Sequence, residues 1–103
     1  MRVMLKIQFP VGKGNALAKE GALGAKIASI IEEQKPEAAY FLAQGGKRSG
    51  LLFLDLKDSS ELPGLAEPWF LAFDAEIEVT PAMTLEDLKR GGGGIQQAVE
   101  KYG

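Results

Sequence analysis

The run Gly50-Leu51-Leu52-Phe53-Leu54-Asp55-Leu56 constrains this chain more than any other stretch. Side chains of a strand point alternately to its two faces, so a strand with one wet face alternates apolar and polar residues. Leu51 to Leu54 instead put large apolar groups on both faces. The polar turn Gln44-Gly45-Gly46-Lys47-Arg48 precedes the run, and the apolar residues 38–43 precede that turn. Two apolar runs joined through Gly-Gly read as a β-hairpin. The second arm, residues 49–56, is then the centre of the chain's only sheet, and both faces of it need a cover. Leu52, Leu54 and Leu56 are assigned to the intramolecular core. Leu51 and Phe53 are left for a second subunit or a ligand.

The rest of the chain supplies the cover for one face. Val3, Leu5, Ile7 and Phe9 alternate with Met4, Lys6 and Gln8, giving a half-buried first strand over residues 2–9 that Pro10 ends. Val11 to Asn15 reads as a turn with Asn15 as the N-cap of a helix over residues 16–34, whose apolar stripe is Leu23, Ile27, Ile30 and Ile31. Gly21 and Gly24 within it are expected where the helix comes close to the sheet. Asp58 and Glu61 have capping-box spacing before a helix over residues 61–73, buried through Leu62, Leu65, Trp69, Phe70 and Phe73 and kinked or split at Pro68. Residues 75–81 alternate again and end in Pro81, as an edge strand does. Thr84 and Asp87 cap a last helix, and Gly91 to Gly94 act either as its hinge or as a weak part of it.

The order is β-α-β-β-α-β plus a C-terminal helix. Right-handed crossovers place the strands in the order 4-1-3-2, antiparallel throughout, with the helices on one face. The expected class is α+β, a ferredoxin-like arrangement filling one domain over residues 1–103. On this parity the face away from the helices carries Met4, Lys6, Gln8, Glu76, Glu78 and Thr80, with Tyr40, Leu42, Leu51, Phe53 and Asp55 from the hairpin. Its middle is too apolar to stand in water, and an identical subunit is the expected cover.

Composition removes several chemistries. The chain has 103 residues and neither cysteine nor histidine. Thiolate nucleophiles, disulfides, Ser-His-Asp triads and Cys- or His-ligated metals are therefore outside its means. Twelve Lys and Arg against 14 Asp and Glu give a net charge of −2. Because these charges are interspersed, no nucleic-acid or membrane partner is expected. Lys6 and Gln8 interrupt the apolar N-terminus, so it reads as a strand, and a cytoplasmic location is expected.

The architecture and the segment Glu67 to Leu88, Glu-Pro-Trp-Phe-Leu-Ala-Phe-Asp-Ala-Glu-Ile-Glu-Val-Thr-Pro-Ala-Met-Thr-Leu-Glu-Asp-Leu, resemble the dimeric α+β barrel superfamily, in a branch of small uncharacterised proteins. That resemblance implies a homodimer of face-packed sheets with a small ligand in or beside them. Related activities include muconolactone isomerases, cofactor-independent monooxygenases and haem-degrading enzymes, and the histidine used by the haem-degrading members has no counterpart in this chain. The expected function is ligand binding or interaction through the sheet face, without cofactor or metal. The alternative is a cofactor-independent isomerase or monooxygenase acting on a small hydrophobic carbonyl compound.

The residues singled out for either role are Lys6, Gln8, Tyr40, Phe53, Asp55, Glu76 and Glu78. The carboxylates would accept a proton, Lys6 or Gln8 would polarise a carbonyl, and an enclosed cavity lined by Tyr40, Phe53 and Glu78 is expected. The same charges would equally form plain cross-strand ion pairs. Gly12 to Asn15 is a further, weaker candidate, as an anion-binding turn at a helix N-terminus.

Overall fold

A computed structural model describes residues 1–103. The elements run β1 (Arg2–Gln8), α1 (Val11–Lys19), α2 (Leu23–Gln34), β2 (Ala38–Gln44), β3 (Lys47–Asp55), a 3₁₀ turn (Ser59–Glu61), α3 (Leu62–Phe73), β4 (Glu76–Pro81), α4 (Leu85–Arg90) and α5 (Gly92–Tyr102). The fold is α+β. Its four-stranded sheet has the order β2-β3-β1-β4, which is the expected 4-1-3-2 read from the other edge, and every pairing is antiparallel.

The expected parity holds. Val3, Leu5 and Ile7 are fully buried and pair with Leu54, Leu52 and Gly50, so those positions share the helix-covered face. Pairing of Met4 with Phe53 and Lys6 with Leu51 puts Leu51 and Phe53 on the opposite face, where both remain half-buried. Gln44 pairs with Lys47, and Gly45 and Gly46 take φ of 61° and 76°. Two consecutive positive φ values make the tight turn that matches strand twist, which explains the two glycines there.

Under the sheet, Phe9, Trp69 and Phe73 pack together with ring centroids 4.7 to 6.3 Å apart. Trp69 is wholly buried, and its indole N–H donates to Gln34 Oε1 at 3.1 Å while Gln34 Nε2 donates to the Leu65 carbonyl at 2.9 Å. One glutamine thus ties the end of α2 to α3 and satisfies the only polar atom of the indole. Leu17, Ile30, Leu65 and Ala75 complete the core with the sheet leucines.

Several local expectations are corrected. The single helix over residues 16–34 is two helices, because Gly21 adopts φ +72° and breaks the ladder between α1 and α2. Gly24 has open space where a Cβ would stand, so neither glycine serves a close approach to the sheet. The first helix starts at Val11 directly after Pro10, and Asn15 lies within it rather than capping it. Pro68 does not divide α3; the helix runs unbroken from Leu62 to Phe73, and the irregular turn lies ahead of it at Ser59–Glu61. Phe70 is half-exposed on the outer side of α3 and is not part of its buried face.

Both expected capping boxes form, at Asp58 with Glu61 and at Thr84 with Asp87. Gly91 caps both α4, which ends at Arg90, and α5, whose first turn is formed by Gly92 to Gly94. No residue from Met83 to Gly103 is buried. The radius of gyration is 17.2 Å and the molecule measures 59 × 28 × 20 Å. A compact chain of this length has a radius near 13 Å, so α4 and α5 form an arm that projects from the body.

Candidate functional site

The face of the sheet away from the helices has two unlike halves. On β2 and β3 it shows Tyr40, Leu42, Leu51 and Phe53, and on β1 and β4 it shows Lys6, Gln8, Glu76 and Glu78, with Met4 between. The structure therefore brings Lys6, Gln8, Glu76 and Glu78 together, as register partners Lys6 with Glu78 and Gln8 with Glu76. They line one small depression of about 40 Å³, room for a water or two rather than for a substrate. Lys6 and Glu78 do not form an ion pair despite their register, so the plain cross-strand salt bridge is absent.

Gln8 is already committed in part. Its Nε2 reaches across β3 to donate to the Gln44 carbonyl at 2.9 Å and to Ser49 Oγ at 3.4 Å, which pins the hairpin tip to β1. Asp55 sits at the other end of the face, where it accepts from the Met1 amine at 3.2 Å, far along the strand from the Lys6 cluster. Tyr40 and Phe53 share the face but flank no cavity with Glu78, so the enclosed space expected around those three is not found within one chain.

Electrostatics at the Asp55 end are structural in kind. Arg2 Nε and Nη2 donate to the two carboxylate oxygens of Glu37 at 2.8 and 2.7 Å, a fork-to-fork contact that spans β3. These hydrogen bonds, donated by Arg2 and accepted by Glu37, hold the Glu37 carboxyl below its ordinary range and raise the Arg2 guanidinium further above its own. On the arm, the Asp87 carboxyl is likewise lowered, first by the backbone N–H of Thr84 and then by its hydroxyl. Asp87 also receives Arg90 from the next turn.

The largest hollow, about 370 Å³, lies at the end of the sheet among Gln34, Lys35, Glu37, Asp55, Glu61 and Leu65. Most of its charged groups already have partners: Glu37 holds Arg2, Asp55 holds the Met1 amine, and Glu61 closes the cap at Asp58. A second hollow of about 360 Å³ opens beside β2, between Phe9, Ile27, Phe41 and Leu42. Sequence reasoning passed over it because Phe41 faces the helix side from an edge strand and stays 50% exposed. The Phe41 ring lies 3.1 Å from where a Cβ on Gly50 would stand, filling the gap that glycine leaves.

The Gly12–Asn15 candidate is also revised. Those residues lie inside α1, Arg48 packs over Gly14, and its Nη1 donates to Asn15 Oδ1 at 3.0 Å. No group of three or more acidic side chains is placed to hold a metal ion, and no helix is long and apolar enough to cross a membrane. Comparison with known proteins finds neither a family model that matches this chain nor a curated protein similar to it.

Proposed function

We propose that the chain works as a symmetric homodimer whose uncovered sheet faces meet, in the manner of the dimeric α+β barrel proteins, and that the space between the sheets binds a small hydrophobic ligand with one polar group. The observation that carries this reading is the division of the face into an apolar half on β2–β3 and a polar half on β1–β4. Tyr40 is 62% exposed, and Leu42, Leu51 and Phe53 stand beside it. A contiguous apolar patch of this kind on a sheet face marks an interaction site.

A two-fold axis running along the strands between the two sheets sets β4 of one copy over β2 of the other. Each apolar half then faces a polar half, and the four glutamates at positions 76 and 78 are kept apart. An axis across the strands would stack β4 on β4 and bring those like charges together, so charge favours the first arrangement. It makes two equivalent clefts, each walled by Tyr40, Leu51 and Phe53 of one subunit and by Lys6, Gln8, Glu76 and Glu78 of the other.

A fluorescent apolar anion of the anilinonaphthalene type is the probe for these clefts. Saturable binding with two sites per dimer that is lost in Phe53→Lys is expected. Equal binding by that variant would refute the cleft. The clustering of Lys6 with Glu76 and Glu78 also favours a second reading, a cofactor-independent isomerase or monooxygenase in which a glutamate takes a proton from a carbonyl compound that Lys6 polarises. Loss of turnover in Glu78→Gln with unchanged probe binding would distinguish that reading from simple binding.

A further inference from the structure

Resting on the dimer proposed above, we infer that the arm formed by α4 and α5 is an exchanged clasp: it crosses to the second copy and lies along that copy's β2 edge.

An 11-residue helix that opens with three glycines is not stable alone in water. Its stability must come from an apolar stripe packed on something, and it has one: Ile95, Val99 and Tyr102 fall at i, i+4 and i+7. In the single chain those side chains are 59%, 58% and 79% exposed. The side-chain hydrogen bonds of residues 84–103 stay within the segment. The stripe thus has no partner in its own body.

The two edges of the sheet differ in a way that names the seat. β4 carries Glu76, Glu78 and Pro81, the charges and proline that keep an edge from pairing. β2 reads Ala-Ala-Tyr-Phe-Leu-Ala-Gln and has no such guard. Beside it lies the apolar hollow of about 360 Å³ walled by Ile27, Phe41 and Leu42. A helix laid over an edge strand is one of the ways natural proteins protect it.

Reach and area both fit a second copy. Ala82 N–H donates to the Arg2 carbonyl at 3.0 Å, so the arm leaves the sheet beside the Arg2 end of β1. With β4 over the partner's β2, that point stands near the partner's Ala38. The six residues of α4 span about 9 Å, close to the roughly 10 Å between packed sheets. The 11 residues of α5 then cover about 16 Å of the partner's β2, whose seven residues span about 23 Å. The C-terminal half of α5 comes to the hollow at Phe41. The sheet face alone offers a footprint of roughly 19 by 22 Å, about 420 Å², around half of the ~800 Å² that each partner of a stable interface buries. Two arms supply much of the difference.

The absence of native cysteine makes the test direct. Val99→Cys and Phe41→Cys are made in separately tagged chains, mixed, and treated with a short bismaleimide. A two-chain product joining Cys at 99 to Cys at 41 is expected, and Val99→Cys with Leu71→Cys is expected to give none. Val99→Cys chains linking only to each other, or both cysteines in one chain closing within that chain, overturn the clasp. A chain ending at Gly91 keeps every buried residue and is expected to dimerise at least ten-fold more weakly. If it dimerises as the full chain does, the clasp fails and the sheet-face dimer stands. If the full chain does not dimerise at all, the dimer reading fails with it.

Discussion

Replacing Tyr40 with lysine separates the proposed association from folding. Tyr40 lies on β2, on the face away from the helices, and is 62% exposed in the single chain. A tyrosine side chain offers about 200 Å², so roughly 120 Å² remains for a partner to cover. At about 25 cal/mol per Å² that is about 3 kcal/mol in each copy. The two-fold axis uses the residue twice, giving about 6 kcal/mol per dimer as an upper bound and about four decades in Kd at 1.4 kcal/mol per decade. Ordering of side chains at the interface takes back a share, and attraction of the new ammonium to the partner's Glu78, which this arrangement sets opposite position 40, takes back a further part, so a weakening of one to three decades is expected. The monomer should lose little, because lysine on an edge strand is tolerated. The control is Leu71→Lys, also exposed at 77% but on α3 away from the sheet, which should leave the dimer unchanged. Sedimentation equilibrium reads both variants. A Tyr40→Lys protein that associates like the parent, with its thermal unfolding unaltered, would show that no partner covers Tyr40.

Other outcomes follow from single contacts. Trp69→Ala empties the aromatic cluster and strands Gln34 Oε1, and urea unfolding should show a loss of about 3–5 kcal/mol. Lys35 caps α2 with φ +48°, a left-handed conformation that disfavours a side chain. Lys35→Gly should therefore raise stability by about 1 kcal/mol by the same assay. Glu37 and Asp87 have carboxyl pKa values lower in the folded than in the unfolded chain. Their contribution is present above the ordinary carboxylate range and is lost as pH falls through the depressed values. Acid unfolding curves of Glu37→Gln should accordingly be flatter below about pH 4.5 than those of the parent, and an identical slope would show that the Arg2 contact is without weight.

The sheet was legible because its signals are local and repeat. Period-two alternation fixed the faces of β1 and β4, the Gly-Gly dipeptide marked the hairpin although Gln44, Lys47 and Arg48 belong to its strands rather than to the turn, and the chosen parity placed Leu51 and Phe53 on the face opposite Leu52 and Leu54. Both capping boxes were readable for the same reason, since three-residue spacing is enough to specify them. Glycine was the main source of error. Gly21 stops a helix through its positive φ, whereas Gly92 to Gly94 lie inside one, and residue identity alone does not separate these cases. Pro68 was expected to kink or split α3; the helix is not split, because buried Leu65, Trp69 and Phe73 on one side of it hold it through the missing hydrogen bond. Of the candidate site, the Lys6, Gln8, Glu76 and Glu78 cluster followed from parity, while the division of Asp55 from it depended on position along the strand. The β2 edge followed from the expected order 4-1-3-2, whereas the projecting arm was not legible, because projection is a property of the assembled chain.

In the proposed dimer the face carrying Tyr40, Leu51 and Phe53 is covered by a second copy. Sedimentation equilibrium of the unmodified chain over roughly 1–100 µM tests it most directly, since that range brackets micromolar affinity, about −8 kcal/mol. A mass that rises to twice that of the 11.0 kDa chain and no further is expected. A mass of one chain across the whole range would contradict it.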